Sequence, residues 1–290
     1  MEVSHMEEER EFMVTLVTGK KKVGKTYRTA QEVHSYVMND PKIGRFGMKV
    51  LIFDIQQEPQ WSCYKTLYYD ADEKDEMKRA KEIIAFTNSN VIGVRRIIPI
   101  KRTGQPMNAA DMVSAVQTIY KYFRRGLVVL EDINKIVTSK NQDDLLDALI
   151  STRHIQQDII IHLQSLAGAT PRMFQNAEWI RFHKQGDSID RYKNRLTNFP
   201  ILKIAELTVD RMYREGNERY FVYVSPSEEK IQGLSWEVFK KSCIEYLSKY
   251  RGELKSYSDR MDITKGRKCY PTMLEAMKAW IDEHKYYWIP

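Results

Sequence analysis

Residues 19–26 read Gly19-Lys20-Lys21-Lys22-Val23-Gly24-Lys25-Thr26. A glycine, four intervening residues and then Gly-Lys-Thr is the spacing of a phosphate-binding loop. Glycines at both ends let the backbone turn its N–H groups onto phosphate oxygens. Lys25 would reach the outer phosphates of ATP, and Thr26 would offer its hydroxyl to Mg2+. The nucleotide-contacting stretch is therefore expected to comprise Gly19, Lys20, Lys21, Lys22, Val23, Gly24, Lys25, Thr26 and Tyr27. The apolar run Phe12–Val17 before the loop and the helical pattern from Thr26 to Val37 after it supply the strand–loop–helix context. In that context the helix N-terminus adds its partial positive charge at the phosphates. A lysine-rich surface turn would explain the lysines but not this context.

A second group of residues could act on a bound phosphate. Leu127-Val128-Val129-Leu130-Glu131-Asp132 places two acids after four apolar residues, as in a Walker B strand. The first acid, Glu131, would hold the metal, and the second, Asp132, would orient or deprotonate the attacking water. Their order is the reverse of the common Asp-Glu, which leaves the division of labour open. Acids capping a turn would read the same way. Gln164-Ser165 follows the apolar segment Ile159–Leu163, and an amide at a strand end can sense a γ-phosphate; an ordinary loop glutamine is the alternative. Arg153-His154 precedes that segment. Arg153 could reach a neighbouring subunit's nucleotide or simply complement a helix C-terminus. Asp54 and Glu58, just beyond the run Met48–Phe53, belong near the same crevice in a role the sequence does not specify.

The elements that must position these residues alternate between strands and helices, as in a parallel sheet covered by helices. Strands are expected at Met48–Phe53, Val94–Ile98, Leu127–Leu130, Ile159–Leu163, Trp179–Phe182 and Tyr220–Val224. Helices are expected over 70–86, from an Asn108 cap through Phe123, and around Leu145–Ile150. The fold class is thus α/β. Residues 1–11 read as a lead-in, in which Ser4-His5-Met6 resembles an expression-vector scar, and 12–225 as the nucleotide-binding domain. From 226 to 290 the texture changes to amphipathic helices, Trp236–Tyr246 and Met273–Trp280, in a small C-terminal appendage whose aromatics dock on the core.

The chain has 290 residues, 29% of them charged, and a net charge of +7. That length suffices for one large domain with a substantial core. The charge is compatible with a polyanionic partner without requiring one. Three cysteines without metal-ligand spacing read as reduced thiols in a cytoplasmic protein, and no apolar run is long enough for a membrane span.

The order and local sequence of these pieces resemble the FtsK/HerA superfamily of DNA-pumping ATPases. The phosphate loop comes first, then Phe53-Asp54 through Glu58, then Leu130-Glu131-Asp132. Ser151-Thr152-Arg153-His154 then leads into Asp158-Ile159-Ile160-Ile161-His162-Leu163-Gln164-Ser165-Leu166, the segment most like the viral genome-packaging branch. Pro171 and Trp179–Lys184 continue the similarity, which covers roughly Phe12 to Val224. Lys22, where the family has glycine, and the Glu131-Asp132 order are departures. The resemblance implies a RecA-like P-loop ATPase with a mostly parallel central sheet. It also implies a homo-oligomeric ring, five- or sixfold, with Arg153 acting in trans, translocating double-stranded DNA into a capsid at its vertex. Glu131, Asp132 and Gln164 would be the catalytic set, with Thr26 and Glu131 at the metal. Arg95, Arg96, Lys101, Arg102, Arg124 and Arg125 are the visible candidates for phosphate neutralisation, although most read equally as solvated charge. Two rivals are an ATPase that moves protein in phage assembly or export, and a nucleotide or small-molecule kinase with Arg95, Arg96 and Arg102 on a lid.

Overall fold

The computed structural model describes residues 12–40, 46–133, 136 and 156–290. Arg153, His154 and the expected helix around Leu145–Ile150 lie outside the described residues. Nine strands form one sheet in the order β3-β4-β2-β5-β6-β1-β7-β8-β9. They are β1 (Val14–Thr18), β2 (Lys49–Phe53), β3 (Lys65–Thr66), β4 (Val94–Ile97), β5 (Gly126–Leu130), β6 (Gln157–Leu163), β7 (Trp179–His183), β8 (Phe221–Ser225) and β9 (Lys230–Gln232). Non-consecutive neighbours mean crossover connections, which helices supply. This is the α/β, RecA-like P-loop NTPase fold, followed by C-terminal helices. By compactness the chain divides into two units, Met1–Thr15 with Thr26–His162, and Leu16–Lys25 with Leu163–Pro290.

In the first unit, β5 pairs in parallel with β2 on one side and β6 on the other, and all five of its residues are buried. Its uninterrupted apolar sequence follows from that central place, since both faces are covered. Strand β4 pairs in parallel with β2, and β3 with β4. Helix α1 (Lys25–Val37) begins immediately after Gly24 and buries Thr29 and Val33, four residues apart on one face. The region expected as one surface helix over 70–86 is two, α2 (Glu76–Arg79) and α3 (Lys81–Asn88), broken at Ala80. Asp75 starts α2 by accepting the Met77 and Lys78 N–H groups, which turns residues 70–75 into a lead-in rather than helix. Helix α4 (Ala109–Tyr122) starts on the Asn108 cap, where Asn108 and Asp111 satisfy each other's backbone N–H groups.

In the second unit, α5 (Pro171–Asn176) opens on a Thr170 cap with proline in its first turn. Strands β7, β8 and β9 pair antiparallel, so pairing continues beyond residue 225, where the composition changes. Helix α6 (Phe199–Arg214) is buried along most of its first ten residues. Helices α7 (Trp236–Lys249) and α8 (Arg251–Ser258) follow, then a short hairpin of β10 (Met261–Asp262) and β11 (Arg267–Lys268), then α9 (Met273–Glu283). The C-terminal aromatics pack among themselves and onto this unit. Trp280 is buried against Tyr246, and the Trp288 indole donates to the Leu234 carbonyl at 2.9 Å. The three cysteines are free. Among the described residues no helix is long and apolar enough to cross a membrane.

A charged knot ties α6 and α7 together. Lys203, 1% exposed, donates to the Glu206 carboxylate, to Asp190 at 3.0 Å and to Ser188 at 3.2 Å. Lys249 and Tyr250 close on the same Asp190. Removing one partner of a buried pair strands the other charge. Lys203→Met should therefore lower stability in chemical denaturation by about 3–5 kcal/mol. A loss below about 1 kcal/mol, the size seen for surface pairs, would show that the knot carries no structural charge.

Candidate active site

The phosphate loop joins β1 to α1. Its backbone takes left-handed values at Gly19 (φ 150°), Lys22 (φ 66°) and Gly24 (φ 85°). Gly19 is fixed by crowding as well: a Cβ there would lie 2.7 Å from His183 Cβ. At Gly24 a Cβ would meet the Arg219 side-chain stem at 3.3 Å. The segment following β7 braces the loop. Lys20 N–H donates to the Lys184 carbonyl at 2.8 Å, and Lys184 pairs with Asp210 at 2.7 Å. The buried Gln185 amide donates to Thr18 Oγ1 at 3.0 Å while its oxygen accepts the Leu166 N–H at 3.3 Å. Lys25 Nζ folds back over the loop and donates to the carbonyls of Gly19 (2.5 Å) and Lys20 (2.8 Å). A cation held by two neutral carbonyls at the mouth of a loop built for N–H donation suits a phosphate anion, which would replace them with charge-assisted bonds. Buried Arg181 donates to the Lys25 carbonyl at 3.2 Å and so pins the start of α1.

The acids gather in the first unit. Glu131, directly after β5, is 3% exposed. Its Oε1 accepts the Trp61 indole N–H at 3.1 Å, and its Oε2 lies 2.8 Å from His162 Nδ1. Asp54 is completely buried after β2, where it accepts the Glu58 N–H at 2.9 Å and pairs with Arg96 at 3.3 Å. Burial raises the Asp54 carboxyl above the ordinary aspartate value, opposed by the Glu58 N–H and by Arg96. Burial also raises Glu58, with repulsion from Glu131 and Asp54 adding to it. Asp132 adopts a left-handed backbone (φ 48°), and its carboxylate accepts the Gln56 amide N–H at 2.6 Å. Thr26, at the start of α1, is half-buried, and Gln164 is exposed just past β6. Among the described residues no three His, Cys, Asp or Glu side chains could hold a metal together. The Thr26 hydroxyl and Glu131 carboxylate are hard oxygen donors, of the kind that could take Mg2+ together with nucleotide phosphates and water.

No protein-family model matches the chain, and no curated protein matches it. Among solved structures it is similar to the genome packaging NTPase B204 of Sulfolobus turreted icosahedral virus 2 in complex with AMP. That likeness has 12% identity and a TM-score of 0.48 over 76% of this chain and 95% of that one. It is also similar to the N-terminal domain of zonular occludens toxin from Neisseria meningitidis, at 13% identity and a TM-score of 0.33 over 59% and 76% of the two chains. A third likeness is to the flagellar accessory protein FlaH from Methanocaldococcus jannaschii, at 12% identity and a TM-score of 0.33 over 61% and 75%. The fold itself stands on the strand order and the loop geometry.

The sequence places Glu131 correctly at the end of a central strand and Asp54 and Glu58 beside it. It misses the residues that hold them. Trp61 and His162 grip Glu131, and Arg96, a candidate for contacting nucleic acid or forming a lid, is committed to Asp54 and to Thr66 Oγ1 at 3.2 Å. Arg95, also in β4, lies over the Phe86 ring of α3, and Lys101 pairs with Asp72 and Asp111. Only the alternation of Asp158-Ile159-Ile160-Ile161-His162 hints that His162 could point toward the neighbouring acid. Lys22 lacks the glycine its conformation favours, and a left-handed residue with a Cβ costs about 1–2 kcal/mol. Lys22→Gly should therefore raise stability by about 0.5–1 kcal/mol after the entropy of glycine is subtracted, whereas Gly19→Ala should lower it. Chemical denaturation of both variants checks the loop, and the reverse ranking would contradict its geometry.

Proposed function

We propose that this protein is an ATPase that drives double-stranded DNA, packaging a viral genome into its capsid. The observation that carries the nucleotide assignment is the loop itself: three left-handed residues, Lys25 Nζ across its mouth, and α1 starting at that lysine. In this reading Lys25 neutralises the transferred phosphate and Thr26 and Glu131 hold Mg2+. When bound, the metal would supply charge stabilisation to the nucleotide phosphates. Gln164, past the end of β6, senses the γ-phosphate. Arg153 completes a neighbouring subunit's site in a ring of five or six copies. DNA as cargo rests on the sequence resemblance and the net charge of +7, with contacts to the backbone rather than the bases. The ring would work in the host cytoplasm and dock at a capsid vertex. The kinase alternative is weakened, because Arg95 and Arg96, two of its three lid candidates beside Arg102, lie in β4 with partners of their own.

Two acids compete for the role of base. Asp132 follows Glu131 in sequence. Glu58 is half-buried and has its pKa raised by burial and by Glu131 and Asp54, which makes it a stronger proton acceptor than an ordinary glutamate. Replacing the base by its amide should cut kcat by about a hundredfold or more while ATP still binds. Asp132→Asn and Glu58→Gln, measured side by side, assign the role to whichever shows that pattern; normal turnover in both would remove both from the chemistry.

The assignment as a whole is tested at Lys25. Lys25→Ala should abolish ATP hydrolysis, because the charge that meets the developing negative oxygens is gone. Normal hydrolysis by that variant would overturn the phosphate-loop assignment.

A further inference from the structure

His162 sits on β6 with its ring between two elements. Its Nδ1 lies 2.8 Å from Glu131 Oε2, and its Nε2 lies 2.8 Å from the Thr29 hydroxyl on α1. All three side chains are buried, His162 at 2% and Thr29 at 0% exposure. The ring thus spans the two, in hydrogen-bond contact with the Thr29 hydroxyl at Nε2 and within ion-pair distance of the carboxylate at Nδ1. On the far side the Trp61 indole holds the other carboxylate oxygen. Past Glu131 the backbone turns away through the left-handed Asp132, so these side-chain anchors, rather than the chain that follows, set the direction of the acid. Thr29 lies one helical turn beyond Lys25, at the start of the helix that the phosphate loop leads into.

We propose that His162 is a positioning residue: it ties the Glu131 carboxylate to Thr29 on the phosphate-loop helix and so holds the acid in its working direction. This rests on the reading of the chain as an ATPase. A glutamate at the end of a side chain with three rotatable bonds would otherwise sample several rotamers, and groups behind a metal-side ligand typically change metal affinity or activity about 10–100-fold when removed. A plain core histidine would instead contribute to stability alone.

The experiment uses His162→Leu, His162→Gln and Thr29→Val in the full chain. Turnover, ATP affinity and the Trp61 indole N–H resonance are measured for each, the resonance being assigned with Trp61→Phe. In His162→Leu, kcat should fall about 10–100-fold while ATP affinity stays within about twofold, and the Trp61 resonance should move as the carboxylate loses its second anchor. His162→Gln keeps an amide donor, so it should recover most of the lost kcat and leave the resonance near its original position. Unchanged kcat in a folded His162→Leu, equal losses in the Leu and Gln variants, or a loss confined to ATP affinity would overturn the proposal. If His162→Leu does not fold, Thr29→Val carries the test: it deletes only the far hydroxyl, and should lower kcat and shift the resonance in the same directions. Absence of ATP hydrolysis in the unaltered protein would sink the ATPase reading instead. The indole resonance would then decide the positioning claim by itself, because a resonance indifferent to His162→Leu means that the ring does not hold the carboxylate.

Discussion

A buried carboxylate is the constraint around which the first unit is arranged. Glu131 is almost wholly removed from water, and an isolated ionised group there would cost several kcal/mol or more. The cost is offset by the Trp61 indole N–H, which donates to one oxygen, and by the His162 ring, 2.8 Å from the other. Each partner comes from a different stretch of chain, Trp61 from the turn after β2 and His162 from β6, which pairs with β5 itself. Placing the acid just past a fully buried strand gives it paired strands on both sides. Electrostatic interactions are also stronger there than in water.

The same economy of neighbours shapes the second acid. Asp54 follows β2 as Glu131 follows β5, and it too is buried, with Arg96 from β4 as counter-charge and the Glu58 N–H as donor. Glu58 is thereby fixed at its backbone while its side chain remains half-buried, where burial and the neighbouring like charges raise its pKa. The phosphate loop, in the second unit, relies on different means. Its left-handed residues aim the backbone, the segment around Lys184 and Gln185 braces it, and Arg181 pins the first carbonyl of α1.

Much of this was legible in the sequence where the signal is local. The phosphate loop is contiguous, and its glycines, lysine and threonine identify it without any tertiary information. Strand β5 announces its central position through four consecutive apolar residues, and the Asn108 cap marks the start of α4 three residues before its Asp111 partner. What the sequence does not carry is pairing across distance. Nothing in Pro59-Gln60-Trp61 says that the indole will reach an acid 70 residues away, and Arg96 reads as surface charge until β4 is set beside β2. The break at Ala80 escaped because the apolar spacing of residues 70–86 suits a single helix, whereas the Asp75 cap and the buried Ala80 decide otherwise. Strand β9 escaped because three residues, Lys230–Gln232, are too few to show alternation.

The proposed function joins ATP chemistry to movement of a polyanion, and steady-state ATP turnover with and without duplex DNA tests that junction most directly. The expected result is hydrolysis that duplex of any sequence accelerates, with the acceleration fading steeply as salt rises, because backbone contacts release counterions. Turnover indifferent to DNA at every salt concentration, in protein that hydrolyses ATP, would contradict it.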